Sequence, residues 1–164
     1  MPEIPLFDFP AILRALASRH VDFLVVGGVG AVLHGAPVAT FDLDIVHSRQ
    51  PANVDRLLAA LKDLDAFYRL QPHRHIRPTV SYLSAPGHQL LRTRFGSLDV
   101  LGSVGRYAYE ELHAYSTEIE LEKEVRVRLL NLDWIIRLKE EANADKDRAV
   151  LPILRRTLEE KSRS

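Results

Sequence analysis

The chain has 164 residues, with 22 basic and 22 acidic side chains and no cysteine. A net charge of zero argues against bulk, sequence-blind nucleic-acid binding and leaves room only for a local basic patch. The lack of cysteine excludes disulfides and thiolate metal sites, so any metal must sit on oxygen or imidazole ligands. With 46% hydrophobic and 27% charged residues, the composition is that of a soluble globular protein, expected to form one domain and to bury roughly 70% of its extended surface.

The first ten residues, MPEIPLFDFP, carry two acids and no lysine or arginine, unlike a secretory signal. Residues 23–41 contain no Asp, Glu, Lys or Arg and reach the length of a membrane span. Gly27, Gly28, Gly30, Gly35 and Pro37 interrupt that run, and no basic residue flanks it. A buried strand, a glycine turn and a helix are therefore expected there, in a cytoplasmic protein without a membrane segment.

A helix is predicted over residues 10–20, with Ile12, Leu13 and Leu16 on one side, and a buried strand over 22–26. After Gly27-Gly28, VGAVLHG predicts a short helix ending near Gly35. Residues 41–46 alternate strictly, which predicts a strand with Phe41, Leu43 and Ile45 on one face and Asp42, Asp44 and Val46 on the other. Pro51 opens a helix to about Leu64. Residues 66–98 are the least regular, with two strands near the end joined around Gly96, the second carrying Asp99. A helix near 107–113, a hairpin of 116–121 with 125–130, and two C-terminal helices, 132–142 and 146–161, complete the chain.

Asp42 and Asp44 leave the same face of their strand with Cα atoms about 6.6 Å apart. At an effective dielectric near 20 their repulsion is about 2–3 kcal/mol. No lysine or arginine lies between Val21 and His47, so a hard divalent cation such as Mg²⁺, which prefers oxygen ligands, is one natural counter-charge. The alternatives are an acidic edge facing water and a salt bridge from a distant arginine. Gly28, fourteen residues earlier, stands at a strand-to-helix junction where free backbone amides favour a phosphate. A tight turn would need the same glycines for their backbone angles alone.

In this order, VVGGVGAVLHG, TFDLDIV and SLDVL resemble the polymerase-beta-like nucleotidyltransferase superfamily. The matching positions are Gly27, Gly28, Asp42, Asp44 and Asp99. LDWIIRLKEEANADKDRAVL is similar to the L-x-x-L-K…K-D ending of small members related to abortive-infection and toxin–antitoxin enzymes. Ala144 stands where those often carry an arginine. The resemblance implies an α+β fold, a mixed β-sheet flanked by helices with two helices at the C-terminus. It implies Asp42, Asp44 and Asp99 as catalytic residues and ligands of Mg²⁺ or Mn²⁺. It implies Gly27, Gly28, Thr40, Lys139, Lys146 and Asp147 as the nucleotide-binding set, and a nucleoside triphosphate as substrate. The acceptor would be a hydroxyl of RNA, protein or a small molecule, and a helical subunit is an expected partner.

Lys139 is suspect on periodicity alone. It follows Leu132, Ile135 and Ile136 on the apolar stripe of its helix, where a lysine either meets an anion or snorkels to water. Lys146, ahead of Val150, Ile153 and Leu154, is expected to face the same way, with Asp147 orienting one of the two lysines. Residues 66–98 hold five arginines and no acid, either an acceptor surface next to Asp99 or a solvated face. His73-Arg74-His75 lacks a third ligand in view. Two rival functions stay open: an auxiliary nucleotide-binding module beside a partner subunit, and a carboxylate-pair glycosidase. A single tryptophan offers little sugar platform and disfavours the second.

Overall fold

The structure, a computed structural model, describes residues 7–163. The expectation about the N-terminal decapeptide falls largely on residues 1–6, outside the described part. Helix α1 (Phe9–Ser18) starts where the Asp8 side chain accepts a hydrogen bond from the Ala11 amide at 3.1 Å, with proline in its first turn. It stops short of the predicted residue 20, because His20 takes a left-handed backbone conformation. Strand β1 (Phe23–Val26) is buried throughout. Helix α2 (Gly27–Leu33) begins on the glycine pair itself rather than beyond it.

Next come β2 (Asp42–His47) and α3 (Pro51–Asp63), the latter opened by its proline. Three short pieces follow, β3 (Phe67–Tyr68), a 3₁₀ turn (Pro72–Arg74) and α4 (Val80–Leu83). They lead into the hairpin of β4 (His88–Thr93) and β5 (Gly96–Leu101). A small separate hairpin, β6 (Ser103–Val104) with β7 (Tyr107–Ala108), takes the first two residues expected to be helical, so α5 is only Tyr109–His113. The chain ends with β8 (Ser116–Glu122), β9 (Val125–Leu130), α6 (Leu132–Ala142) and α7 (Asp145–Ser162).

Seven strands form one sheet in the order β3-β4-β5-β2-β1-β9-β8. The β2–β5 and β1–β9 pairs are parallel and the other pairs antiparallel. The fold is thus α+β around a mixed sheet, as expected, with β2 at its centre.

Each face of the sheet has its own core. On one face Val25, Leu43, Ile45, Leu98 and Val100 pack with Ile12, Leu13 and Leu16 of α1 and Val54 and Leu57 of α3. On the other, Leu24, Val26 and Val46 pack with Ile135 and Ile136 of α6 and Leu151 and Leu154 of α7. Each fully buried aliphatic side chain contributes roughly 1.5–3 kcal/mol, so both helix layers are tied to the central strands by apolar burial. Phe41 corrects the sequence pattern. It lies outside β2 and is 76% exposed, whereas Leu43 and Ile45 are fully buried. Among the described residues no helix is long and apolar enough to cross a membrane; the uncharged run of residues 23–41 is spent on β1, α2 and the loop into β2.

Candidate active site

Strand alternation places Asp42, Asp44 and Val46 on the α6–α7 side of the sheet. The register between β2 and β5 sets Asp44 directly opposite Asp99, and Asp42 opposite Ser97. Adjacent strands lie about 4.8 Å apart, so the Asp44 and Asp99 carboxyl groups face each other across the two strands. Burial, first, raises the Asp44 pKa; the charge and hydrogen-bonding demand of Asp99 and the charge of Asp42 add to it, and Lys139 opposes them. The result is a carboxyl pushed up to about 8.

Gly27 follows the residue paired with Asp44 across the β1–β2 ladder. Its φ is +64°, and a Cβ there would overlap Oδ2 of Asp44. Gly28 is crowded instead by Thr40, whose Oγ1 would lie 2.7 Å from a Cβ. The Thr40 hydroxyl donates to the Asp42 carbonyl at 3.1 Å. Of the expected nucleotide-binding residues, Gly27, Lys139, Lys146 and Asp147 line a cleft of about 480 Å³ together with Asp42, Asp44 and Asp99. Gly28 and Thr40 do not line it; they shape the loop that carries Asp42.

Lys139 Nζ stands 3.3 Å from Oδ1 of Asp147, with both side chains largely covered. Asn143, in the left-handed conformation, closes α6 by donating its amide to the Lys139 carbonyl, and this sharp joint brings α7 back so that the pair meets. Lys146 departs from expectation. The buried positions of α7 are Asp147, Leu151, Leu154 and Thr157, a stripe at helical spacing that begins one residue after Lys146. Lys146 is accordingly exposed on the cleft rim.

Sequence reasoning missed the contact made by Arg69. Its Nη1 donates to Oδ1 of Asp99 at 2.5 Å and to the Leu91 carbonyl at 3.1 Å. The two side chains are only 22% and 16% exposed. The salt bridge from a distant arginine exists, but it goes to Asp99 and not to the Asp42–Asp44 strand. The rest of the basic stretch does not gather at the cleft. Arg77 pairs with Asp65 at 2.7 Å, Arg74 donates to Gln71 at 2.9 Å, and His75 packs on Phe67. Of that stretch, only Arg69 and His88 among the charged or titratable residues line the cleft. Trp134 sits in a cluster with Tyr107 and Tyr115 and lines no part of the cleft.

Among the described residues no group of three or more His, Asp or Glu is placed to hold a metal ion by itself. What β2 and β5 offer is an open carboxylate set. That fits Mg²⁺ or Mn²⁺, hard ions that take one or two carboxylates and complete their shell with water and substrate oxygens.

No family model and no curated protein matches the chain in sequence. Among solved structures it is similar to a Thermotoga maritima protein described as a "putative nucleotidyltransferase", at 15% identity and a TM-score of 0.58, over 93% of this chain and 91% of that one. A likeness at this identity speaks for the fold: the chain has a nucleotidyltransferase-type fold, a mixed β-sheet flanked by helices.

Proposed function

We propose that the protein is a metal-dependent nucleotidyltransferase, moving a nucleoside monophosphate from a nucleoside triphosphate to a hydroxyl acceptor and releasing pyrophosphate. The observation that carries this is the face-to-face placement of Asp44 and Asp99 beside Gly27, with Asp42 two residues along the same strand, in a cleft closed on its far side by Lys139. Bound Mg²⁺ would supply charge neutralisation on the triphosphate and on the attacking oxygen. Asp42 and Asp44 would hold it, with Asp99 on the acceptor side.

The acceptor oxygen forms a bond to the α-phosphorus as the bond to the bridging oxygen of pyrophosphate breaks. Asp99 takes the hydroxyl proton. Lys139, anchored by Asp147, and Lys146 on the rim present positive charge to the leaving pyrophosphate, and Gly27 leaves the backbone open to its oxygens. RNA, protein and small hydroxyl compounds all remain within the acceptor class. Under the toxin–antitoxin resemblance of the C-terminal segment, a helical partner subunit belongs to the same proposal.

Incubation with each α-labelled triphosphate, Mg²⁺ and candidate acceptors tests this. Label transfer should fall at least a hundredfold in Asp44→Ala. Nucleotide binding without transfer under all conditions would instead assign an auxiliary role, and undiminished transfer in the variant would remove the site from the chemistry.

A further inference from the structure

Arg69 reaches into the cleft and pairs with Asp99 there. It lies just past β3, the two-residue edge strand, and its amide donates to the Leu90 carbonyl at 3.1 Å, continuing the ladder to β4. That bond fixes the backbone so that the side chain crosses β4 toward β5. Its guanidinium is held twice, by the Leu91 carbonyl and by Oδ1 of Asp99. Asp99 in turn is the residue that faces Asp44. One oxygen of the carboxylate that a second metal would share is therefore already taken by a fixed, permanently charged group. Asp42 and Asp44 have no such partner: among the described residues neither makes a salt bridge.

We propose that Arg69 is a positioning residue that stands in for one of two cations, so that the protein without nucleotide takes a single divalent ion, on the Asp42–Asp44 side, and admits a second at Asp99 only when Arg69 is withdrawn. This rests on the nucleotidyltransferase reading of the carboxylates. Arginine suits the role because its charge is never titrated away and its planar fork holds a carbonyl and a carboxylate at once. A guanidinium lacks the Lewis acidity of a metal, so the arrangement stores Asp99 in a charge-neutral but inactive pairing until substrate arrives.

Titration with Mn²⁺ alone, counting bound ions by electron paramagnetic resonance, tests the proposal without relying on activity. The wild-type chain should bind one ion and Arg69→Gln two; glutamine keeps a donor for the Leu91 carbonyl but loses the charge. Arg69→Lys, which keeps the charge, should return to one. Adding Asp99→Asn to Arg69→Gln should abolish the second ion. Two ions in the wild type, or one in both wild type and Arg69→Gln, would overturn the role of Arg69 and leave the nucleotidyltransferase reading standing. No ion in any form would likewise overturn the role of Arg69, while the nucleotidyltransferase reading stands or falls on label transfer.

Discussion

Gly27 and Asp44 compete for one volume: the place a Cβ on Gly27 would occupy overlaps the Asp44 carboxylate. The positive φ of Gly27 adds a second penalty for any other residue. Gly27→Ala is expected to cost about 1–3 kcal/mol of stability from backbone strain alone, and to push Asp44 off its position opposite Asp99. Gly28 has no positive φ, and a Cβ there would meet the Thr40 side chain, Oγ1 at 2.7 Å and Cβ at 3.0 Å, so Gly28→Ala avoids the backbone strain and should cost less. Chemical denaturation of the two variants side by side checks the order; equal losses would refute the clash with Asp44.

The raised pKa of Asp44 predicts a pH signature. The folded state holds this proton up to about 8, against an ordinary value of 3.8. Below about pH 4 both folded and unfolded chains are protonated and the penalty is absent. It grows between the two values and is complete above pH 8. Asp44→Asn should therefore match the wild type near pH 4 and gain on it toward pH 8, by on the order of a few kcal/mol, each pH unit being worth about 1.4 kcal/mol. Thermal melts across that range in metal-free buffer measure it. Mg²⁺ should raise the wild-type melting temperature at pH 8 and leave the variant nearly unmoved.

Lys139 and Asp147 predict a measurable coupling. Removing one partner leaves the other charge in a largely covered position, at a cost of roughly 1–3 kcal/mol. Lys139→Ala and Asp147→Ala should each destabilise, and the double variant should lose clearly less than their sum. A double-mutant cycle in urea gives the coupling; additivity would mean that the two groups do not hold each other.

His34 works in the opposite pH direction to Asp44. Lys161 donates to its Nδ1 at 2.7 Å and its Nε2 lies 2.8 Å from the Leu130 carbonyl, so the neutral ring carries its proton on Nε2. Burial, and then the charge of Lys161, holds its pKa below 6.5 against the pull of the Leu130 carbonyl and Asp133. A depressed histidine pKa contributes stability above 6.5 that is lost as pH falls. Nitrogen-15 chemical shifts should show the Nε2–H tautomer at pH 7.5, and His34→Gln should flatten the acid side of the stability profile.

Local pattern made much of the fold legible. The alternation of residues 42–46, the β8–β9 hairpin and the limits of α6 are all set by short-range periodicity and by turn residues. Phe41 escaped because alternation marks a face but not where the strand starts, and β2 begins one residue later. The phase of α7 escaped because Lys146 and Asp147 are neighbours, and a one-residue difference of about 100° of helix rotation decides which of them is buried. Arg69 could not be placed at all. Its partner is thirty residues away, and the two meet only because β3 and β5 flank β4, an order that no local signal encodes.

The parallel pairing of β2 with β5 makes assembly of the cleft carboxylates an all-or-nothing outcome of folding. A slip of β5 by one residue would not merely loosen the site: it would turn Asp99 toward the apolar layer under α1 and α3 and present Leu98 or Val100 to the cleft in its place. Misfolded chains would thus carry a charge into that layer and be unstable, so any population that survives cellular quality control will have its carboxylates in step.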